Sequence, residues 1–438
     1  MNNSGQELWE KAKSIIPGGN QLLSKRSEMF LPKLWPSYYE KAKGCEIWDL
    51  DDNRFYDFAG MGISSCALGY ADDDVDKAVI NAVINGSMGT LNSYEEVQLA
   101  EKLLSLHPWS EMVRFSRTGG EACAIAIRIA RAASGRDKIA FCGYHGWHDW
   151  YLASNLSDKS NLNAQLLPGL DPKGVPKSLL GTSVPFQYND LDSFKSIIDS
   201  NKSEVGVIMM EPQRGVPPKK GFLETIRKVA DEIGAVLIFD EVTSGFHNNL
   251  GGIHLTLGVK PDLAVFAKAM GNGFPISAII GKREIMDVAQ DTFISSTMWT
   301  ERIGFTAGLA TINKMQKNEV QKTLVEFGKK IKNGWMKISE ASKVKIKISG
   351  LDSIPTFSFV NPDSLLISTY FTQEMMDKGF LAKTVVAATY AYNDKIIDDY
   401  LNQVNNVFHK IYKGNENKNI DTLLKGSIKH STFTRLTG

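Results

Sequence analysis

Three short stretches of this chain hold residues that could do chemistry together. The first is VLIFDEVTSGF, Val236 to Phe246, where an apolar run delivers two adjacent acids, Asp240 and Glu241. Such a run with β-branched members reads as a strand covered on both faces, so an acid at its end lies inside the fold. The ordinary alternative is a strand that runs out into a solvated turn. The second stretch is VFAKAMGNGFP, where Lys268 closes an apolar run and Gly271 and Gly273 follow. A desolvated lysine has a lowered pKa and can attack a carbonyl to form a Schiff base. The ordinary alternative is a lysine that snorkels out at a strand end. The third is SRTGGEA, Ser116 to Ala122: a strand ends, a Thr-Gly-Gly turn follows and a helix begins. Backbone N–H groups at a helix start, with a hydroxyl beside them, form a phosphate cradle. Alternatively, Thr118 simply caps the helix. No GK[ST] follows, and GxGxxG is absent, so neither nucleotide fingerprint applies.

Taken together, the cradle, the acid and the lysine meet the needs of pyridoxal 5′-phosphate (PLP). The phosphate wants a helix start, the pyridine nitrogen wants a carboxylate that keeps it protonated, and the aldehyde wants a lysine. Asp240 is then the pyridinium partner. Glu241 points to the opposite face by strand alternation and reads as structural.

The elements that must position these residues follow from hydrophobic periodicity. MVRF (112–115), IAFC (139–142), VGVIMME (205–211), VLIFDEV (236–242), LAVFAK (263–268) and SAIIG (277–281) read as strands. EACAIAIRIARAA (121–133) and FLETIRKVADEIG (222–234) read as amphipathic helices between them. This alternation argues an α/β fold with a mainly parallel sheet and helices on both faces. Asp240, Glu211, Lys268 and the turn before Glu121 all sit at carboxyl ends of strands, where sites form in such sheets. The polar stretch between Tyr151 and Lys177 reads as a lid or a disordered loop. EIWDLDDNRFYDF reads as a hairpin turning at Asp51–Asn53, and the N-terminal segment as a helix capped near Ser4. The expected organisation is an N-terminal segment of a small domain (1–68), a large domain (69–312) and a C-terminal small domain (313–438).

The 438 residues carry a net charge of +1, which invites neither nucleic acid nor an anionic membrane. No apolar run approaches the roughly 18 residues of a membrane span, and no signal peptide is read at the N-terminus. Cys45, Cys66, Cys123 and Cys142 are scattered and read as free thiols in a reducing cytoplasm. No metal site is expected: His145 and His148 in YHGWHDW form an isolated HxxH.

The chain resembles class III aminotransferases of PLP fold type I, and within them glutamate-1-semialdehyde 2,1-aminomutases. The resemblance rests on an ordered set: IPGG (16–19), TGGEA, GYHGW, GVPKS (174–178), the EP of MMEPQRG, DEVTSGF, GVKPDL (258–263), AKAMGNGFP, and a threonine shortly before AGLAT (307–311). It implies a seven-stranded, mainly parallel sheet in the large domain and a smaller α+β domain built from both chain ends. It implies that Lys268 forms the Schiff base with PLP and shuttles a proton, and that Asp240 pairs with the ring nitrogen. Val242 and Tyr144 would flank the ring, while Thr118, Gly119 and Gly120 hold the phosphate. Glu211 and His145 would lie near the cofactor, His145 in a supporting role. Thr297 would reach the phosphate of a neighbouring subunit's cofactor, making a homodimer with shared sites. The partners implied are a small-molecule amino donor and a carbonyl acceptor.

Several positions depart from the aminomutase pattern. Lys25, with Arg26 beside it, stands where the family has an arginine for the substrate carboxylate. Val216 stands where an asparagine is typical. MWTERI replaces small residues, which puts Trp299, Glu301 and Arg302 forward as substrate-facing candidates. The expected function is therefore amino transfer between a donor and a small polar carbonyl compound. The intramolecular aminomutase, an isomerase, is the alternative; a PLP-fold scaffold without activity has no use for a desolvated lysine.

Overall fold

Apolar runs without polar alternation become strands buried on both faces, and this chain folds them into one sheet. In the computed structural model, which describes residues 3–436, the strands are β1 Met112–Ser116, β2 Lys138–Cys142, β3 Ser183–Pro185, β4 Val205–Met210, β5 Val236–Asp240, β6 Leu263–Phe266 and β7 Ser277–Gly281. Their order is β1-β7-β6-β5-β4-β2-β3. All neighbours from β6 to β3 pair in parallel, whereas β7 runs antiparallel to both β6 and β1. Every residue of β4 to β7 is buried. The sheet is the mainly parallel, seven-stranded one expected. Its edge strand β3 escapes sequence reading, because it is three residues long and ends in a proline, which only an edge tolerates.

Alternate side chains of each strand serve opposite layers. Ile238 and Phe141 pack under helix α1, Gly119–Ser134, with Ile125, Ala126 and Ile129. Leu237 and Phe239 pack on the other face against helices α2, Leu191–Asn201, and α3, Phe222–Ile233. Phe222, Leu223 and Ile226 of α3 are all buried there. Each such side chain contributes about 1.5–3 kcal/mol by leaving water.

The polar stretch after Tyr151 is folded, not disordered. Tyr151, Ala153 and Leu162 are buried, and the Gln165 amide bridges the sheet by accepting from Gly143 N at 2.8 Å and donating to Phe186 O at 3.0 Å. Two buried backbone groups that no strand pairs are thereby satisfied.

The chain divides into two units, Asp73–Gln321 and a second that joins Met1–Asp72 to Lys322–Gly438. Residues 1, 2, 437 and 438, at the outer ends of the expected segments 1–68 and 313–438, lie outside the described residues. The second unit contains a four-stranded sheet of Tyr39–Lys43, Glu46–Asp49, Arg54–Phe58 and Phe380–Ala382. The expected hairpin is present; Asp49 Oδ1 shapes its turn by accepting from Asp51 N and Asn53 N, both at 2.9 Å. The N-terminal helix starts at Ser4 without a side-chain cap; Ser4 N donates to Asp51 Oδ2 at 3.2 Å instead. Among the described residues no helix is long and apolar enough to cross a membrane, and all four cysteines are free.

Candidate active site

The site is built within Asp73–Gln321 at the carboxyl ends of β4, β5 and β6, where β1 gives way to α1. Asp240 ends β5 and is 3% exposed, as an acid carried by a buried strand must be. Both of its carboxylate oxygens have partners. Oδ2 faces His145 Nδ1 at 2.7 Å and Cys123 Sγ at 3.5 Å, and Oδ1 accepts from Val242 N at 2.9 Å. His145 is itself fixed by Cys142 O, 3.2 Å from its Nε2.

Lys268 follows β6 and begins a short turn, Lys268–Gly271. Its backbone is left-handed, φ +47°, a conformation disfavoured for a residue with a Cβ. Its Nζ donates to Thr243 Oγ1 at 2.8 Å. Burial lowers the ammonium's pKa below the ordinary lysine value, against the opposing pull of Asp240 and Glu211. Glu211, just past β4, lies 2.9 Å from Arg214 Nε, and burial raises its carboxyl above the usual range.

Thr118 caps α1 through a full capping box. Its Oγ1 accepts from Glu121 N at 3.3 Å, and Glu121 Oε2 accepts from Thr118 N at 2.9 Å. The cap reading of this threonine therefore holds, and the first helical N–H groups, at Gly119 and Gly120, precede the intrahelical ladder. A Cβ on Gly119 would meet Val242 Cγ1 at 2.8 Å, and one on Gly120 would meet His148 Cε1 at 3.2 Å. The GYHGW loop crosses here: a Cβ on Gly146, whose φ is +105°, would sit 2.9 Å from Gly120 Cα. That close approach brings the half-exposed Tyr144 to the same end of the sheet, with its ring edge-on to Tyr151 at 5.8 Å.

Glu241 takes the opposite face, as strand alternation requires, and becomes a hub. It is fully buried and accepts from His254 N at 2.8 Å, Ile253 N at 3.1 Å and Ser244 Oγ at 2.5 Å, with His254 Nδ1 at 2.7 Å. Trp109 Nε1 completes the chain by donating to His254 Nε2 at 3.0 Å. Burial alone would raise the Glu241 carboxyl; the hydrogen bonds from His254 outweigh it and hold the pKa below the usual value. A depressed acid contributes stability above its unfolded pKa of about 4.3 and loses it as pH falls through the folded value. Glu241→Ala is expected to cost about 3–5 kcal/mol, since it strands buried donors. Glu241→Gln should flatten the acid limb of a stability–pH curve. An unchanged acid limb by denaturant titration would contradict the hub.

The remaining candidates are placed differently. Thr297 is exposed on the turn Thr297–Thr300. Trp299 is half-buried, its Nε1 donating to Glu121 Oε1 at 3.4 Å. Glu301 and Arg302, read from the sequence as substrate-facing candidates, both have partners within the protein. Glu301 caps helix α4, Arg302–Lys317, by accepting from Ile303 N at 2.7 Å. Arg302 holds Glu95 Oε1 through Nε at 2.9 Å and Nη2 at 2.7 Å. Lys25 and Arg26 belong to the other unit, where Arg26 Nη1 donates to Thr434 O at 3.0 Å. Sequence reading missed Thr243, Cys123, Trp109 and His254. Only the spacing of Thr243, three residues past Asp240, offered any signal.

A mostly parallel seven-stranded sheet with a buried acid, a desolvated lysine and a helix start at its carboxyl end defines a PLP-dependent enzyme of fold type I. The family model for aminotransferase class-III matches residues 32–408, and the chain belongs to that family. It is 35% identical over 387 residues to a 3-aminobutyryl-CoA aminotransferase of Cloacimonas acidaminovorans, spanning 85% of this chain and 89% of that protein. It is 31% identical over 436 residues to a glutamate-1-semialdehyde 2,1-aminomutase of Methanosphaera stadtmanae, spanning 94% and 99%. The fold is shared with the FumI protein of Sphingopyxis sp. MTA144, solved in a PLP form, at a TM-score of 0.85 and 22% identity over 95% and 98% of the two chains.

The residues present fit this cofactor. A Cβ on Gly119 would clash with Val242 and one on Gly120 would crowd His148, so the backbone at the helix start stays bare where a phosphate can approach. Asp240 supplies an anion and Lys268 an amine, both at strand ends of the same sheet.

Proposed function

We propose that Lys268 carries the cofactor and moves the substrate's proton in an intermolecular amino transfer between an amino donor and a small polar carbonyl acceptor. The observation that carries this reading is the Lys268 amine, lowered in basicity by burial and held by Thr243 at 2.8 Å. PLP, when bound, supplies an aldehyde that takes up an amino group and a ring that draws electrons from the bond being broken. Asp240 holds a proton at the ring nitrogen, and His145, Cys123 and Val242 N hold Asp240. Thr118, Gly119 and Gly120 bind the phosphate. Val242 and Tyr144 enclose the ring faces, and Glu211 lies beside them. Lys268 Nζ, poised by Thr243, accepts a proton at the substrate carbon and returns it.

Thr297 serves the phosphate site of a second copy, so the protein works as a homodimer with shared sites. Its exposure supports this, as do Phe293 and Met298 nearby, 88% and 60% exposed. The free cysteines support a reducing cytoplasm as the compartment.

Lys25 stands where an aminomutase would hold a carboxylate with arginine, and an ammonium cannot form the bidentate fork. Trp299 adds bulk. Both favour transfer between two molecules, as does the likeness to a named aminotransferase. The intramolecular amino shift of glutamate-1-semialdehyde is the second reading, favoured by the near full-length likeness to an aminomutase. Enzyme incubated with glutamate-1-semialdehyde alone, without donor or acceptor, is expected to form 5-aminolevulinate slowly or not at all. A simple amino acid such as glutamate should convert bound PLP to pyridoxamine phosphate, read by absorbance. Efficient 5-aminolevulinate formation would reverse the preference.

A further inference from the structure

The turn that carries Thr297 is tied to the phosphate cradle of its own chain. None of the residues of Thr297–Thr300 is buried, so packing contributes little to the turn's shape. Hydrogen bonds from the cradle contribute more. Arg117 lies between β1 and α1, directly before Thr118. Its Nε donates to Met298 O at 2.8 Å and its Nη2 to Glu301 O. One carbonyl is inside the turn and the other just past it. Trp299 adds a second tie through its Nε1, 3.4 Å from Glu121 Oε1. Glu121 is also the residue whose Oε2 accepts from Arg117 N at 3.1 Å and from Thr118 N at 2.9 Å.

The start of α4 is shaped around this guanidinium. A Cβ on Gly304 would meet Arg117 Nη1 at 2.5 Å, so the arginine fits only against a residue without one. The Phe305 ring lies 4.9 Å from the guanidinium carbon, and Glu301 Oε2 lies 3.7 Å from Nη2. The planar fork of an arginine reaches two carbonyls at once, whereas a lysine ammonium is a point donor.

We propose that Arg117 is a positioning residue for the cofactor site of a second copy of this chain: it holds the turn in the shape that presents Thr297 to that copy's phosphate. The inference rests on the reading of Thr297 as a shared-site residue. It gives Arg117 a task in the neighbouring site although it adjoins the cradle of its own. A turn fixed in advance spares the ordering cost at binding. Without the fork, the Thr297 hydroxyl is in place in only a fraction of molecules, and the phosphate is held more weakly by that fraction.

The test titrates the full chain with PLP and reads the fraction of the Lys268 peptide to which borohydride fixes the cofactor. Arg117→Gln is expected to weaken PLP binding by roughly ten- to a hundredfold, the worth of one hydrogen bond to a charged group. Arg117→Gln is then mixed with an excess of Lys268→Ala. In each mixed dimer the one site that can be labelled has Lys268 from the Arg117→Gln chain and Thr297 from the Lys268→Ala chain, whose Arg117 is intact. That site should bind PLP as tightly as the parent. Thr297→Ala, treated in the same way, should show the same weakening alone and the same restoration in the mixture. If it lacks either, the shared-site reading falls and this inference falls with it. If Thr297→Ala shows both, but Arg117→Gln alone binds like the parent or stays weak in the mixture, only the inference about Arg117 is overturned. Should Arg117→Gln fail to fold, Arg117→Lys, which keeps the charge but not the fork, is carried through the same mixing and decides in the same way.

Discussion

Alanine at position 268 is expected to abolish turnover while leaving PLP bound through its phosphate. Removing the proton-moving amine alone should cost roughly 10²–10⁴-fold, and loss of its covalent role adds to that. The fold should survive, because Lys268 Nζ makes a single hydrogen bond, to Thr243, and sits in a strained φ of +47°. In the parent protein, borohydride should fix the cofactor on the peptide that contains Lys268. Label on another peptide, or no bound cofactor, would remove the assignment. The same variant tests the shared site. Mixed with an inactive Thr297 variant, it should recover some activity, since one site in each mixed dimer regains both residues. A fully active monomer would rule that out.

Asp240→Asn is expected to damage catalysis far more than folding. An opposite charge shifts a neighbouring pKa by about 1–3 units, so losing the carboxylate weakens proton retention at the ring nitrogen by about 10–10³-fold. The asparagine carbonyl can still accept from Val242 N, now 2.9 Å from Asp240 Oδ1, which limits the structural cost. Two readouts separate the effects: kcat should fall while the melting temperature moves little, and the pH titration of cofactor absorbance should shift. Near-normal turnover would show that the ring nitrogen has another partner.

Much of this site is written in local pattern. VLIFDEV declares a buried strand because its apolar residues are consecutive, and the two-residue period then separates Asp240 from Glu241 without further information. TGGE declares a helix start because a threonine three residues before a glutamate makes a capping box. What stays hidden depends on distant partners. His145 meets Asp240 across 95 positions, and Cys123 meets it across 117. Trp109 reaches His254 across 145. No periodicity encodes such pairs; they exist only after sheet order and loop paths are set. The stretch MWTERI shows a second kind of hidden partner. Charge at Glu301 and Arg302 read as substrate chemistry, yet a glutamate preceding a helix is also a cap, and Arg302 finds Glu95 from a helix 207 positions earlier.

The antiparallel strand β7 sets a clock on assembly. Among the described residues it is the only strand beside β1 in the sheet, and its Ser277 Oγ lies 2.6 Å from Ser116 Oγ and 3.1 Å from Thr118 O, the residue that opens α1. As the chain emerges in synthesis, TGGEA comes out early, Asp240 later and Lys268 later still. Until Ser277–Gly281 follows, β1 has no strand to dock on, and the helix start it carries has no fixed position relative to the acid and the amine. Closing so long a loop carries an entropic cost that only the complete sheet repays. The last strand of this sheet in chain order is thus the one that joins the helix start to the strands that carry Asp240 and Lys268.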